Sequence, residues 1–147
     1  MKVLNEMKIQ FPSKSCNESF ARVSVAAFVS MLDPTIDEIA DIKTAVSEAV
    51  TNSIVHGYKD KLGIVYINAK IYDKNKIEIK IKDKGCGIED INKAMEPMFT
   101  TCTTGERSGL GFAVMESFMD KIKVTSKIDR GTTVTLQKTL KSRYLLK

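Results

Sequence analysis

The chain is poor in the residues that build metal centres and disulfide frameworks. Its 147 residues include three cysteines, Cys16, Cys86 and Cys102, and a single histidine, His56. Because the cysteines are odd in number and widely spaced, neither a zinc ligand set nor a disulfide framework is expected. We expect reduced thiols in a cytosolic protein.

Long apolar runs are also missing. No stretch approaches the roughly 20 apolar residues of a membrane-spanning helix. The first residues, Met1 to Glu6, lack the apolar segment and the cleavage site of a signal peptide. We therefore expect no membrane association and a cytoplasmic location.

The net charge is +5, but the basic residues form no concentrated patch. Lysines alternate along a predicted strand between Lys74 and Lys84, which is typical of one solvated face. Direct nucleic-acid binding usually requires clustered charge with stacking aromatics or a recognition helix, and the sequence indicates neither. Attraction to acidic protein partners or to nucleotide phosphates explains the positive charge at least as well as nucleic-acid binding does.

The hydrophobic periodicity predicts a single α+β domain over residues 1–147. Thr35 and Glu38 are spaced as a capping box at the start of the second helix. The predicted strands cover residues 3–11, 63–72, 76–82, 121–128 and 132–140, and the predicted helices cover 17–31, 35–56, 90–95 and 109–119. We expect a two-layer α/β sandwich with a mixed sheet and the helices on one face.

One helical turn of the second helix carries a carboxylate and an amide. Glu48 and Asn52 are four residues apart and project from the same face. A carboxylate can accept a proton or orient a hydroxyl, and an amide oxygen can bind Mg²⁺. Taken alone, such a pair is most often a solvated polar stripe, but apolar neighbours such as Val46 and Val50 favour a site.

An acidic residue ends the third predicted strand and precedes a glycine turn. Asp83 is followed by Gly85 and Gly87. The carboxylate can accept a hydrogen bond from an exocyclic amine, and glycines let the backbone approach a flat ring. Considered alone, this segment is better explained as an ordinary turn, in which Asp and Gly are favoured residues.

A second glycine-rich segment precedes the last predicted helix. Helix N-termini bind phosphate through free N–H groups, and Arg107 and Ser108 can add contacts. The segment is not a Walker A loop, because no Gly-Lys-Ser/Thr is present, and Gly109-Leu110-Gly111 opens no βαβ unit.

Together these segments resemble the motifs of the GHKL ATPase superfamily, which includes gyrase B, histidine kinases and MutL. The motifs are Glu48 with Asn52, Asp83-x-Gly85-x-Gly87, Gly109-x-Gly111 and Gly131-Thr132-Thr133. The resemblance implies the Bergerat ATP-binding fold, with Asn52 as the Mg²⁺ ligand and Asp83 binding the adenine amine near Gly87 and Thr132. It implies a lid and phosphate contacts from Thr100, Thr101, Gly105, Arg107, Ser108, Gly109, Leu110 and Gly111.

The flanking sequence is similar to that of a narrower family, the anti-sigma F factors of endospore-forming bacteria. The similarity covers essentially the whole chain and includes Asn17–Arg22, Leu32–Pro34, Pro97–Thr101 and Glu106–Gly109. The family implies a homodimeric serine kinase that binds a sporulation sigma factor and phosphorylates the anti-anti-sigma protein. Glu48 would then be the catalytic base, and Arg22 would contact the partners.

Three alternatives remain open at this point. A non-catalytic, nucleotide-gated module that binds the sigma factor would need Asn52, Asp83 and the lid but not Glu48. The related general-stress anti-sigma serine kinase belongs to the same superfamily. A detached histidine-kinase catalytic domain is disfavoured, because no second segment supplies a dimerisation helix with a phosphoacceptor histidine.

Overall fold

A computed structural model describes residues 1–59, 61–95 and 111–141. Its centre is a five-stranded sheet in the order β1-β2-β3-β5-β4. The strands are β1 (Val3–Pro12), β2 (Ile64–Tyr72), β3 (Lys76–Asp83), β4 (Lys121–Lys127) and β5 (Gly131–Thr139).

All four strand pairings are antiparallel, so the prediction of a mixed sheet is wrong. Three-residue connections join β2 to β3 and β4 to β5. Parallel neighbours would need crossovers of a dozen or more residues, and these connections are far shorter. The α+β class and the placement of helices over the sheet are confirmed.

Four α-helices occur in the described residues: α1 (Asn17–Val29), α2 (Ile36–Thr51), α3 (Ile91–Ala94) and α4 (Phe112–Phe118). The predicted capping box starts α2, since the Thr35 side chain accepts from the Glu38 N–H and the Glu38 carboxylate accepts from the Thr35 N–H. In these parts of the chain, no helix is long and apolar enough to cross a membrane.

The core lies between the helices and one face of the sheet. Alternating residues of the central strands, Ile67 on β2 and Ile79 on β3 among them, are buried in the core that also contains the apolar residues of α1 and α2. The intervening Lys80 and Lys82 are exposed on the opposite face. This alternation follows from the two-residue repeat of a strand, which directs successive side chains to opposite faces.

The apolar face of α1 differs from the prediction. The helical spacing of Phe20, Val23, Ala27, Phe28 and Met31 places them on one face of the helix, and this pattern predicts that the face is buried. Phe28 is buried, but Phe20, Val23 and Met31 are 50%, 56% and 45% exposed and Ala27 is exposed too. The helix instead buries Ala21, Val25 and Val29, because small and β-branched side chains fit the contact with α2.

The second helix was predicted to run to residue 56 as a regular α-helix. It changes at Asn52 into a π-helical segment, Asn52–Gly57, in which the Tyr58 N–H donates to the Ser53 carbonyl over 2.9 Å. The wider turn accommodates one more residue per hydrogen-bonded ring than an α-helix does. Such segments are frequent at functional sites.

Candidate functional site

A cavity of about 890 Å³ opens between the end of α2, the loop after β3 and the start of β5. A volume of this size lies within the range of small-molecule sites, roughly 300–1,000 Å³. Its wall includes four of the residues predicted to bind a nucleotide, namely Asn52, Asp83, Gly87 and Thr132.

Asp83 is the buried carboxylate of this cavity, with only 4% of its surface exposed. Its Oδ1 accepts from the Gly85 N–H over 2.9 Å, and the Ser53 hydroxyl and the Thr132 N–H also donate to the carboxylate. Burial raises the pKa of Asp83, and these three donors offset part of that increase. The result is a fixed hydrogen-bond acceptor in a poorly solvated pocket.

The glycine turn after Asp83 packs directly on the π-helical segment. The Cys86 N–H donates to the Gly57 carbonyl over 2.9 Å. A Cβ at position 85 would lie 2.2 Å from that same carbonyl oxygen, and a Cβ at Gly57 would lie 2.9 Å from the Asp83 Cγ. Glycine is therefore required at both positions by close approach, which brings the turn and the carboxylate against the end of α2.

Tyr58 links the start of β2 to the end of β3, where this turn begins. Its hydroxyl donates to the Ile64 carbonyl at the start of β2 and accepts from the Lys84 N–H, 2.8 Å away, just after Asp83. Burial raises the pKa of Tyr58. The neutral phenol therefore holds the exit of β3 in place and, with it, the position of Asp83.

Asn52 is the first residue of the π-helical segment and lines the cavity. The described residues contain no group of three or more His, Cys, Asp or Glu side chains that could hold a metal by themselves. A Mg²⁺ ion that binds together with a nucleotide needs only one or two protein oxygens, because phosphate and water complete its shell. The Asn52 amide oxygen fits this requirement.

Glu48 lies one turn before Asn52 and outside the cavity wall. It sits against Gly111, where a Cβ would be 2.3 Å from the Glu48 Oε2. Gly111 has a φ of 70° and stands at the start of α4. The structure thus brings Glu48 next to Gly111, although the two residues are 63 positions apart in the sequence.

A hydroxyl pair, Thr132 and Ser126, continues from Asp83 across the sheet, and the sequence pattern did not identify its second member, Ser126. Asp83 on β3 is opposite Thr132 on β5, and Thr132 is opposite Ser126 on β4. The Ser126 and Thr132 hydroxyl oxygens are 2.8 Å apart, and the Ser126 oxygen accepts from the Ile88 N–H over 2.8 Å. A single serine has no distinctive sequence motif around it, and only the strand register indicates this role.

Arg22 lies at the contact between α1 and α2. Its guanidinium pairs with Glu18 at 3.0 Å and approaches the Ser47 hydroxyl at 3.5 Å, and its side chain is 36% exposed. Ser47 immediately precedes Glu48. Arg22 is therefore near the helix turn that carries Glu48, with part of its surface available to another molecule.

The remaining predicted contacts fall on residues 96–110, outside the described part of the chain. They comprise Thr100, Thr101, Gly105, Arg107, Ser108, Gly109 and Leu110. Besides Ser126, the sequence pattern did not identify Ser53 and Phe112 as site residues. The position of Ser53 beside Asn52 was the signal that could have identified it.

The chain is similar to proteins of one family over nearly its whole length. The profile of the histidine kinase-like ATPase domain matches residues 11–138. An anti-sigma F factor of Clostridium kluyveri is 59% identical over 138 residues, which cover 94% of this chain and 96% of the relative. An anti-sigma F factor of Thermoanaerobacter sp. (strain X514) has the same identity and coverage.

Solved structures with low sequence identity share the fold. The structure of the RsbU and RsbW domains of Rv1364c from Mycobacterium tuberculosis has a TM-score of 0.69 at 20% identity, over 92% of this chain and 32% of that longer chain. The catalytic domain of the histidine kinase ThkA has a TM-score of 0.55 at 17% identity, over 91% and 96%. The cavity with Asp83, the sequence matches and the fold agree: the chain belongs to the anti-sigma F factor family and carries a histidine kinase-like ATPase domain.

Proposed function

We propose that this protein binds and inhibits the sporulation sigma factor, sigma F, and uses ATP and Mg²⁺ to phosphorylate its anti-anti-sigma antagonist on serine. The observation that supports this most directly is the buried Asp83 carboxylate in a nucleotide-sized cavity, with Glu48 on the adjoining helix turn. The names of the relatives supply the sigma factor as the partner class.

In this proposal Asp83 accepts a hydrogen bond from the adenine amine. The Asn52 amide oxygen would hold Mg²⁺ beside the phosphates, and the ion, when bound, would supply positive charge against the phosphate oxygens. Glu48 orients the substrate serine and takes its proton as the serine oxygen bonds to the terminal phosphorus and the bond to ADP breaks. Catalysis then depends mainly on positioning and on charge stabilisation.

The partner-binding role belongs to Arg22, and the phosphate contacts belong to residues 100–111. We further propose that residues 1–147 form a single domain that acts as a homodimer in the cytoplasm, where sigma factors act. Arg22 supports the partner assignment by its exposure and by its place beside Ser47.

Glu48→Gln tests the catalytic assignment. It should reduce phosphate transfer to the anti-anti-sigma protein by about a hundred- to ten-thousand-fold, the usual contribution of a general base, while ATP affinity stays near that of the wild type. Transfer is measured with labelled ATP and the modified serine is mapped. Glu116→Gln, an exposed substitution on α4, is the matched control.

The transfer assay, combined with binding titrations, distinguishes this proposal from the other candidate functions. Tight ATP and sigma binding without transfer by the wild-type chain would favour the non-catalytic, nucleotide-gated module. Preference for a general-stress sigma factor over sigma F in a direct binding titration would favour the related stress kinase. Equal loss of ATP affinity and transfer in Glu48→Gln would remove Glu48 from its catalytic role.

A further inference from the structure

The hydroxyl of Ser126 stands at the centre of a hydrogen-bond cluster beside the nucleotide cavity. Three groups lie within hydrogen-bond distance of its oxygen: the Ile88 N–H at 2.8 Å, the Gly131 carbonyl at 3.0 Å and the Thr132 hydroxyl at 2.8 Å. The segment of β4 that carries Ser126 lies across β5 from Asp83.

Proton counting assigns a direction to each of these bonds. A serine hydroxyl has one proton to donate and two lone pairs that accept. The Ile88 N–H can only donate, and the Gly131 carbonyl can only accept. All three contacts are satisfied together when Ser126 donates to Gly131 and accepts from both Ile88 and Thr132.

In this arrangement the Thr132 hydroxyl donates its single proton to the Ser126 oxygen. The Thr132 oxygen then has only lone pairs left for a further partner, and Thr132 lines the cavity together with Asp83. Its own N–H already donates to the Asp83 carboxylate. The wall of the cavity therefore offers two adjacent acceptors and no competing hydroxyl donor from Thr132.

We propose that Ser126 is a specificity-determining positioning residue, which fixes the Thr132 hydroxyl as an acceptor and so selects a purine that carries an exocyclic amine. The proposal rests on the nucleotide site proposed above. Adenine supplies N–H donors to both acceptors, whereas a base without the amine leaves the buried acceptors unpaired. Removing the Ser126 hydroxyl frees the Thr132 hydroxyl to rotate and lowers that preference.

The test compares the dissociation constants of ATP and purine riboside triphosphate, which lacks only the amine. In Ser126→Ala the preference for ATP should fall by about three- to tenfold, the range that one neutral hydrogen bond provides. Ser126→Thr, which keeps a hydroxyl, should restore it. Thr125→Ala, on the exposed face of the same strand, should leave it unchanged.

A double-mutant cycle distinguishes this role from a structural one. In a Thr132→Val background, Ser126→Ala should cause no further change in the ATP preference, because its effect passes through the Thr132 hydroxyl. An equal loss of affinity for both nucleotides in Ser126→Ala, with their ratio unchanged, would overturn the role of Ser126 but leave the proposed function standing. Failure of the wild-type protein to bind ATP would overturn the proposed function and this inference with it.

Discussion

Gly111→Ala should strain the contact between the start of α4 and Glu48. The residue has a φ of 70°, in the left-handed region, and a Cβ there would lie 2.3 Å from the Glu48 Oε2 and 3.1 Å from its Cδ. A left-handed conformation costs an L-residue about 1–2 kcal/mol. Turning the Glu48 side chain away from its rotamer costs about 0.5–1.5 kcal/mol.

The expected decrease in the free energy of unfolding is the sum of these effects, about 1.5–3.5 kcal/mol. Denaturant titrations of the wild type and the variant measure it. Phosphate transfer should decrease more than ATP affinity, because Glu48 lies outside the cavity wall and the substitution displaces it from the position proposed for proton transfer.

Glu48→Ala provides the matched background for this experiment. Its Cβ would remain 3.4 Å from the new methyl group, an ordinary contact, so only the backbone strain of about 1–2 kcal/mol should remain. The difference between the two backgrounds, about 0.5–1.5 kcal/mol, measures the clash. The same destabilisation in both backgrounds would refute the packing of Glu48 against Gly111.

Three other results are expected. The preference for ATP over purine riboside triphosphate should fall as the pH drops through the raised pKa of Asp83, because protonation turns one carboxylate oxygen into a donor and weakens the acceptor for the amine. Calorimetric titration across pH measures this preference, and a pH-independent ratio would argue against Asp83. Burial by itself raises the pKa of Glu38, but donors from Thr35 and Lys141 bring it below its usual value. Glu38→Gln should therefore unfold more easily at neutral pH, with the difference shrinking as the pH falls through the lowered folded-state pKa; a constant difference would contradict the charge effect. Arg22→Ala should weaken sigma-factor binding and leave ATP affinity intact, as paired binding titrations would show, whereas parallel losses would indicate a misfolded α1–α2 contact.

Much of the architecture could be predicted from local patterns. The alternation of Ile77, Ile79 and Ile81 with charged residues predicts one covered face of β3, and the structure buries all three. Thr35 and Glu38 predict the start of α2, and the observed helix begins at Ile36. These features depend on neighbours within a few residues, which the sequence displays directly.

The buried face of α1 shows the limit of such local patterns, because the predicted face is wrong. Phe20, Val23 and Met31 are apolar and helically spaced, yet they are exposed. Periodicity identifies an apolar stripe but does not decide which stripe meets the next helix. That choice depended on how closely α1 could approach α2, where Ala21 is fully buried.

The sequence by itself determined the α+β composition, the carboxylate at the end of β3 and the carboxylate–amide pair on the second helix. Tertiary structure alone decided which of these meet. Strand register aligned Asp83, Thr132 and Ser126, and close packing placed Gly57 against Asp83 and Gly111 against Glu48. The physical reason is that local pattern fixes a residue's element and face, whereas contacts across the sheet depend on the lowest-energy packing of the whole chain.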